Sequence, residues 1–400
     1  LKEKLIIKNF GPIKYVELEL GRFNVLIGEQ ATGKSTVAKV LAVCRYFSYI
    51  VQDNQYDQPF ESGLISWGLN EAIHENTYIY YDCQHYSFVV ERKMTIEHGY
   101  DQEDHSPIEY DLPIFISELI PKSKEFSNLL DELKKIRPTS FEILSAPTIN
   151  EWTPPTSFFQ NDVAKVMDNP FFLPTERGLQ SVFSLGKNSI ENISDSLFNQ
   201  LAGLDRIARL FKTETAIEPL DILYKNEKGR GYVRKKGENQ FFSLFNAASG
   251  YQSTIPAVLV IQYYSEIRKK RKTFIAEEPE LNLFPSAQQK LMQYMVDKVM
   301  NYGNTILLTT QSPYSLTSLN NMMYAYQVGI SKPFETEEII EKKYWLNPED
   351  VSAYMLSTQG TAISILDRDI NQIEAGAIDA VSRQINKEWD DLLKIEVNGK

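Results

Sequence analysis

The sequence predicts an α/β fold built around a parallel sheet, and three observations lead to it. A continuous apolar strand, Phe23-Asn24-Val25-Leu26-Ile27, runs into a glycine-containing loop, and the helical spacing begins where that loop ends. Two more apolar strands, Thr273-Phe274-Ile275-Ala276 and Thr305-Ile306-Leu307-Leu308-Thr309, flank a helical stretch over about 286–300. A strand–helix–strand order of this kind calls for parallel pairing, because the helix carries the chain back to the end of the sheet from which the first strand started. The 400 residues are 42% hydrophobic and 12% aromatic, which is enough to fill one large core or two modest ones.

Taken in order, the chain opens with three short strands. Leu5-Ile6-Ile7, Val16-Glu17-Leu18-Glu19-Leu20 and Phe23 to Ile27 are separated by Gly11-Pro12 and Gly21-Arg22. Residues 35–49 repeat apolar positions at helical spacing through Val37, Val40, Leu41, Cys44 and Phe47. Thr77 to Tyr81 and Tyr86 to Glu91 read as strands. Residues 101–167 carry polar and proline-rich joints around helical pieces such as 125–136, and are expected to form a mostly helical insertion. Phe171-Phe172-Leu173-Pro174 reads as a buried strand, 189–212 as a helix, Ile222 to Val233 as a hairpin turning at 226–229, and 253–268 as a long helix. The last 70 residues look like a small α/β extension that ends in a helix over 375–393. The layout expected is therefore 1–100 and 168–330 as two parts of one α/β head, 101–167 as the insertion and 331–400 as the extension.

Composition narrows the function classes. The formal net charge is −11, so non-specific binding to nucleic acid, which comes from neutralising phosphates, is not favoured by the chain as a whole. Two local basic runs stand out: Arg268-Lys269-Lys270-Arg271-Lys272, and Lys225, Lys228, Arg230, Arg234, Lys235 and Lys236. Each reads first as a solvated loop or hairpin. Cys44 and Cys83 are the only cysteines, too few for a disulfide framework, and Cys44 falls on an apolar helix face. The four histidines are irregularly spaced and form no metal motif. No stretch approaches the ~20 apolar residues of a membrane span. Leu1 to Ile7 is followed at once by Lys8 and Asn9 and does not read as a signal peptide. The expected setting is reducing and cytoplasmic.

Three segments carry chemistry. Gly28-Glu29-Gln30-Ala31-Thr32-Gly33-Lys34-Ser35 matches G-x-x-x-x-G-K-[ST]. Its glycines let the backbone curl so that N–H groups face phosphate oxygens, and the following helix, through Thr36, adds its positive end. Lys34 is expected on the β- and γ-phosphates and the Ser35 hydroxyl on Mg²⁺, so ATP and Mg²⁺ are the expected ligands. Phe274-Ile275-Ala276-Glu277-Glu278-Pro279-Glu280 is an apolar strand ending in carboxylates. Glu277 is assigned to the metal and Glu278 to orienting and deprotonating the attacking water, with Glu280 a helix-entry residue. Ala248-Ser249-Gly250-Tyr251-Gln252 stands at a helix start, where Ser249 and Gly250 either face a phosphate or simply cap the helix.

Together with Asn9-Phe10-Gly11-Pro12-Ile13 and Thr309-Thr310-Gln311-Ser312-Pro313, these segments resemble the bacterial RecF/OLD-like ATPases of the ABC/SMC-head branch. The resemblance covers about 1–50 and 170–330. It implies a P-loop ATPase head of ABC/SMC type in which Ser249-Gly250 looks like the signature loop that completes the ATP site of a second subunit. Thr310-Gln311-Ser312-Pro313 looks like the switch loop that senses the γ-phosphate, with Gln311 at the catalytic position. Pro174-Thr175-Glu176-Arg177 looks like a Pro-Ala-Glu-Arg element, in which Arg177 either faces phosphate or pairs with a buried carboxylate.

The departures from the pattern are Gln30 for Asn, Glu277 for Asp, Gln311 for His, and Asn282 and Phe284 for two histidines. A glutamine donates a hydrogen bond but exchanges no proton near neutral pH, so the expected turnover is slow. Asp367-Arg368-Asp369 has the spacing of a nuclease pair, yet lacks the apolar strand such a site needs. An ATPase with no effector of its own is the reading: a homodimer or higher homo-oligomer that switches a separate nuclease or toxin, as do similar ATPases of bacterial anti-phage systems. The alternative is a RecF-type repair ATPase acting directly on DNA.

Overall fold

A six-stranded, mainly parallel sheet lies between two hydrophobic cores. The structure is a computed structural model, and it describes residues 3–45, 59–83, 86–100, 107–122, 124, 127, 170–180, 195–374 and 387–389. Strands β1 (Glu3–Phe10), β2 (Ile13–Leu20) and β3 (Phe23–Gly28) lead into α1 (Lys34–Arg45). Helix α2 (Pro59–Ser66) precedes β4 (Ile73–Asp82), β5 (Tyr86–Tyr100) and β6 (Pro107–Pro121). Then come β7 (Phe171–Leu173), α3 (Asp195–Ala208), β8 (Thr215–Ile217), β9 (Ile222–Glu227), β10 (Arg230–Lys235) and β11 (Phe242–Ser243). Helix α4 (Ser249–Gln262) leads to β12 (Thr273–Glu277), α5 (Pro285–Met300), β13 (Thr305–Thr309) and α6 (Pro313–Gly329). Strands β14 (Val351–Leu356), β15 (Ala362–Ser364), β16 (Leu366–Asp367) and β17 (Gln372–Ile373) follow.

The central sheet runs β15-β14-β3-β13-β12-β7. Every pair from β14 to β7 is parallel, and β15 adds an antiparallel edge. Both faces are covered, which is why these strands read as unbroken apolar runs. Phe23, Val25 and Ile27 face a core filled by Ile255 to Ile261 of α4, Leu291 to Val299 of α5 and Leu316 to Met323 of α6. Leu26, Ile275 and Leu307 face the other core, shared with Val37, Val40, Leu41 and Cys44 of α1 and with β1, β2 and β4. Cys44 is fully buried, as its apolar helix face implies. A second, antiparallel sheet runs β2-β1-β4-β5-β6, and a third runs β11-β10-β9-β8 with the expected hairpin.

Two expectations change. Residues 107–121, placed in the helical insertion by sequence, are strand β6, paired with β5 along its whole length. Its Pro107, Pro113 and Pro121 suggested loop joints, but β6 is the edge of its sheet, where a missing N–H costs no ladder bond. The helical piece at 125–136 lies outside the described residues, apart from residue 127. The extension at 331–400 is not separate either, because β14 pairs in parallel with β3 from Val351↔Phe23 to Leu356↔Gly28 and so belongs to the central sheet. The helix expected at 375–393 lies outside the described residues except 387–389. Helix α4 starts at Ser249, four residues before the sequence estimate, and continues as a π-helical turn, Tyr263–Ile267.

Candidate functional site

Parallel register brings the chemistry together. Glu277 pairs with Thr309, and Thr309 pairs with Leu26, so β12, β13 and β3 end level with one another. Ligands of open α/β sheets bind outside such carboxyl ends. Here the ends open into a cleft of about 500 Å³ lined by Gln30 to Thr36, Pro12, Thr175, Glu277, Glu278, Thr309 and Gln311. Of the residues expected at the phosphates, Gly28, Glu29, Ser249 and Gly250 do not line this cleft; the first two belong to the loop that enters it, whereas Ser249 and Gly250 lie on another element, α4.

The loop itself needs its glycines. Gly28 has φ +149°, and a Cβ there would sit 2.5 Å from the Leu356 carbonyl oxygen. Gly33 has φ +94°, and a Cβ there would press on Pro12 and Ile13 at 3.1 Å. Ala31 also takes a left-handed φ, 61°, without the glycine that usually relieves it. The Thr32 hydroxyl donates to the Glu29 carbonyl at 2.9 Å and closes the turn. The buried Lys34 ammonium donates to the Gly28 and Glu29 carbonyls, 2.7 Å each. Burial lowers its pKa, and the Glu278 charge acts against that shift. Helix α1 has no acidic residue in its first turn, so its positive end is left for an anion.

Glu277 is 4% exposed, and burial raises its carboxyl pKa, with the Ser35 hydroxyl the largest opposing influence. Its Oε1 is enclosed without a hydrogen-bond partner. An orphaned carboxylate oxygen beside a serine hydroxyl is the donor set a hard divalent cation takes, so Ser35 and Glu277 fit Mg²⁺. Glu278 sits in a left-handed conformation, φ 41°, a strain of the kind held at functional sites. Its N–H donates to Thr309 O at 3.0 Å, and its Oε1 accepts from Gln311 Nε2. The predicted water-activating acid and the predicted switch residue therefore touch.

Arg177 resolves differently from either expectation. It is fully buried, and it donates to four main-chain carbonyls: Ser253 (2.8 Å), Pro174 (2.9 Å), Glu277 (2.7 Å) and Glu278 (2.7 Å). Burial pulls its pKa down from the ordinary guanidinium value to about 10, against the nearby charges of Glu280, Glu277 and Glu278. Arg177 thus ties α4 to the acidic turn. Gly250 makes a second tie, since a Cβ there would lie 2.7 Å from the Asn282 carbonyl oxygen. Glu280 is not a helix-entry residue: α5 begins at Pro285, and the 6%-exposed Glu280 carboxylate accepts from the Thr310 hydroxyl. Sequence reasoning missed Thr309, Thr175 and Pro12 as cleft residues, although all three belong to segments it had singled out.

The basic runs divide. In the hairpin, Lys225, Arg234 and Lys236 are paired with Glu227 (2.6 Å), Glu214 (2.7 Å) and Asp221 (2.8 Å), the bland outcome. Arg268, Lys269, Lys270 and Arg271 are exposed just before β12, at the end of the strand away from the cleft. Asp367 accepts from the N–H groups of Asp369 and Ile370 in a tight turn, and no group of three metal-ligating side chains occurs among the described residues. Nor, among these residues, is any helix long and apolar enough to cross a membrane.

A glycine loop after β3, with an acidic β12 separated from it by β13, defines a P-loop ATPase of mixed α/β build. The AAA ATPase domain family matches residues 2–161 and 160–316, and the chain belongs to it. No curated protein matches the chain. Among solved structures it is similar to the SMC head domain from Thermotoga maritima, at 12% identity and TM-score 0.37, over 79% of this chain and 91% of that one. It is likewise similar to the Pyrococcus furiosus Smc head domain with an extended coiled coil, bound to the C-terminal domain of ScpA. That likeness has 10% identity and TM-score 0.40, over 96% and 99% of the two chains.

Proposed function

We propose that the chain binds ATP with Mg²⁺, hydrolyses it slowly, and uses the bound nucleotide to close a homodimer or higher homo-oligomer that controls a separate effector. Lys34 and the N–H groups of the loop hold the β- and γ-phosphates. Ser35 and Glu277 hold Mg²⁺, which supplies charge neutralisation on the phosphates when bound. Glu278 orients a water and takes its proton, while Gln311 holds the Glu278 carboxylate in place. Gln311 cannot take up that proton, which supports slow turnover.

The observation that carries the dimer is the position of Ser249. It is exposed at the start of α4 and does not line its own chain's cleft, yet its helix is tied to the acidic turn through Arg177 and Gly250. A phosphate held by a second chain is the partner that gives this arrangement a use. Phe284, 76% exposed just beyond the same turn, supplies apolar surface for such a contact. Light scattering of Glu278→Gln tests the reading: ATP is expected to trap a closed dimer or larger assembly. A single-chain mass with and without ATP refutes the composite site, and cross-linking replaces mass if the protein is a constitutive dimer.

The effector, a nuclease or toxin, and a cytoplasmic anti-phage setting are proposed on the motif resemblance. Co-purification from the native operon tests them. A deletion of 101–167 does not serve here, because it removes β6 from its sheet. The RecF-type alternative keeps one observation in its favour, the exposed Arg268 to Arg271. Turnover that requires added DNA, with steeply salt-dependent binding, selects that alternative.

A further inference from the structure

We infer that Glu280 is a positioning residue for the proposed hydrolysis: through Thr310 it fixes the loop that holds Gln311 against the Glu278 carboxylate. This inference rests on the ATPase reading above. Three contacts carry it. The Thr310 hydroxyl donates to Glu280 Oε1. The same hydroxyl accepts from the Ser312 N–H at 3.0 Å. The Thr310 N–H donates to Leu26 O at 3.0 Å, which anchors the loop to the strand that precedes the phosphate loop. Residues on both sides of Gln311 are therefore pinned, and Gln311 Nε2 is left directed at Glu278 Oε1.

Glu280 is placed by its own turn, in which Leu281 N–H donates to Glu278 O and Leu283 N–H to Glu280 O, 3.0 Å each. A bland reading makes Glu280 merely the counter-charge of Arg177. The hydrogen bonds argue otherwise: Arg177 gives its donors to main-chain carbonyls, and the Glu280 carboxylate takes its hydrogen bond from Thr310. The Arg177 charge still steadies the buried Glu280, and Arg177 bonds the Glu278 carbonyl directly, so α4 is joined to the acidic turn by Arg177 and the turn to the Gln311 loop by Glu280 and Thr310. Movement of α4, where Ser249 lies, would reach the water-activating acid by that route.

Steady-state hydrolysis and calorimetric binding of a non-hydrolysable ATP analogue, both on the full chain, test this. Thr310→Val removes the hydroxyl at constant shape and is expected to lower kcat about tenfold while the analogue's Kd stays within about twofold. Thr310→Ser is expected to restore kcat. Adding Gln311→Ala to Thr310→Val is expected to lower kcat no further, since both act on one contact. Glu280→Leu is the second variant should Thr310→Val fail to fold, and the same split between kcat and Kd is expected. Matched losses of kcat and affinity, a Thr310→Ser variant as slow as Thr310→Val, or additive losses overturn the inference. Wild-type protein without turnover removes the ATPase reading and this inference together. Turnover stopped by Glu278→Gln but indifferent to Thr310→Val removes this inference alone.

Discussion

Arg177→Met tests how the acidic turn is held. The guanidinium is fully buried and bonded to four carbonyls, so the substitution removes four bonds to a charged donor, although Pro174 O and Glu278 O keep main-chain donors, Arg177 N–H at 3.3 Å and Leu281 N–H at 3.0 Å. Bonds to a charged donor are worth about 1.5–3 kcal/mol each, and with two carbonyls keeping a donor the low end applies, roughly 6 kcal/mol together. Removing a buried cation gives part of this back. Burial has pulled the group down from its ordinary value to about 10, which corresponds to about 3 kcal/mol against the charged form. The expected net loss is about 3 kcal/mol, a large fraction of the whole stability of many domains. Arg177→Lys is the measurable companion: an ammonium has three donors on a flexible stem and cannot span four carbonyls, so a loss of about 2 kcal/mol is expected. Urea denaturation with nucleotide absent reads both. A loss below about 1 kcal/mol for Arg177→Met would mean that the four bonds do not hold the turn, and the reasoning would fail.

Lys34→Ala is expected to abolish binding of a non-hydrolysable ATP analogue, and calorimetry showing wild-type affinity would sink the phosphate-loop assignment. Gly250→Ala places a Cβ 2.7 Å from the Asn282 oxygen and 3.1 Å from Leu283; a loss of about 1–3 kcal/mol is expected, and an unchanged melting temperature would contradict the close approach. The Glu280 carboxyl is raised above its ordinary 4.5 by burial, the Thr310 hydrogen bond opposing. The folded chain thus keeps this proton to higher pH than the unfolded one, and the contribution, fully present below 4.5, is lost as pH rises through the raised value. Glu280→Gln is therefore expected to gain stability relative to wild type as pH rises from 4.5, and parallel urea-midpoint profiles for the two proteins would exclude this.

What was legible in the sequence was local. The phosphate loop, the apolar strands around it and the acidic end of β12 announce themselves within a few residues, and the register places them together. The roles of Arg177 and Glu280 were not legible, because a carboxylate two residues from a catalytic one looks like helix entry until its partner, Thr310, is known. Likewise, Val351 to Leu356 gives no sign of its neighbour, since the sheet pairing that absorbs it joins positions more than 300 residues apart. The prolines of β6 misled for a definite reason: proline marks both loops and edge strands, and only pairing tells them apart.

The parallel pairing of β14 with β3 also sets a timetable for synthesis. Gly28 is packed against the Leu356 carbonyl, and β3 has β13 on its other side. The strand that carries the phosphate loop thus leaves the ribosome before both of its sheet neighbours, which follow hundreds of residues later. At about 5–20 residues per second, that interval is roughly 15–65 s. Throughout it, Phe23 to Gly28 is a short apolar segment with two open edges, the kind of segment that pairs with the wrong partner. An interval of that length is ample for a holding chaperone to act, and the strand under the nucleotide cleft gains its second neighbour only once β14 has packed on Gly28.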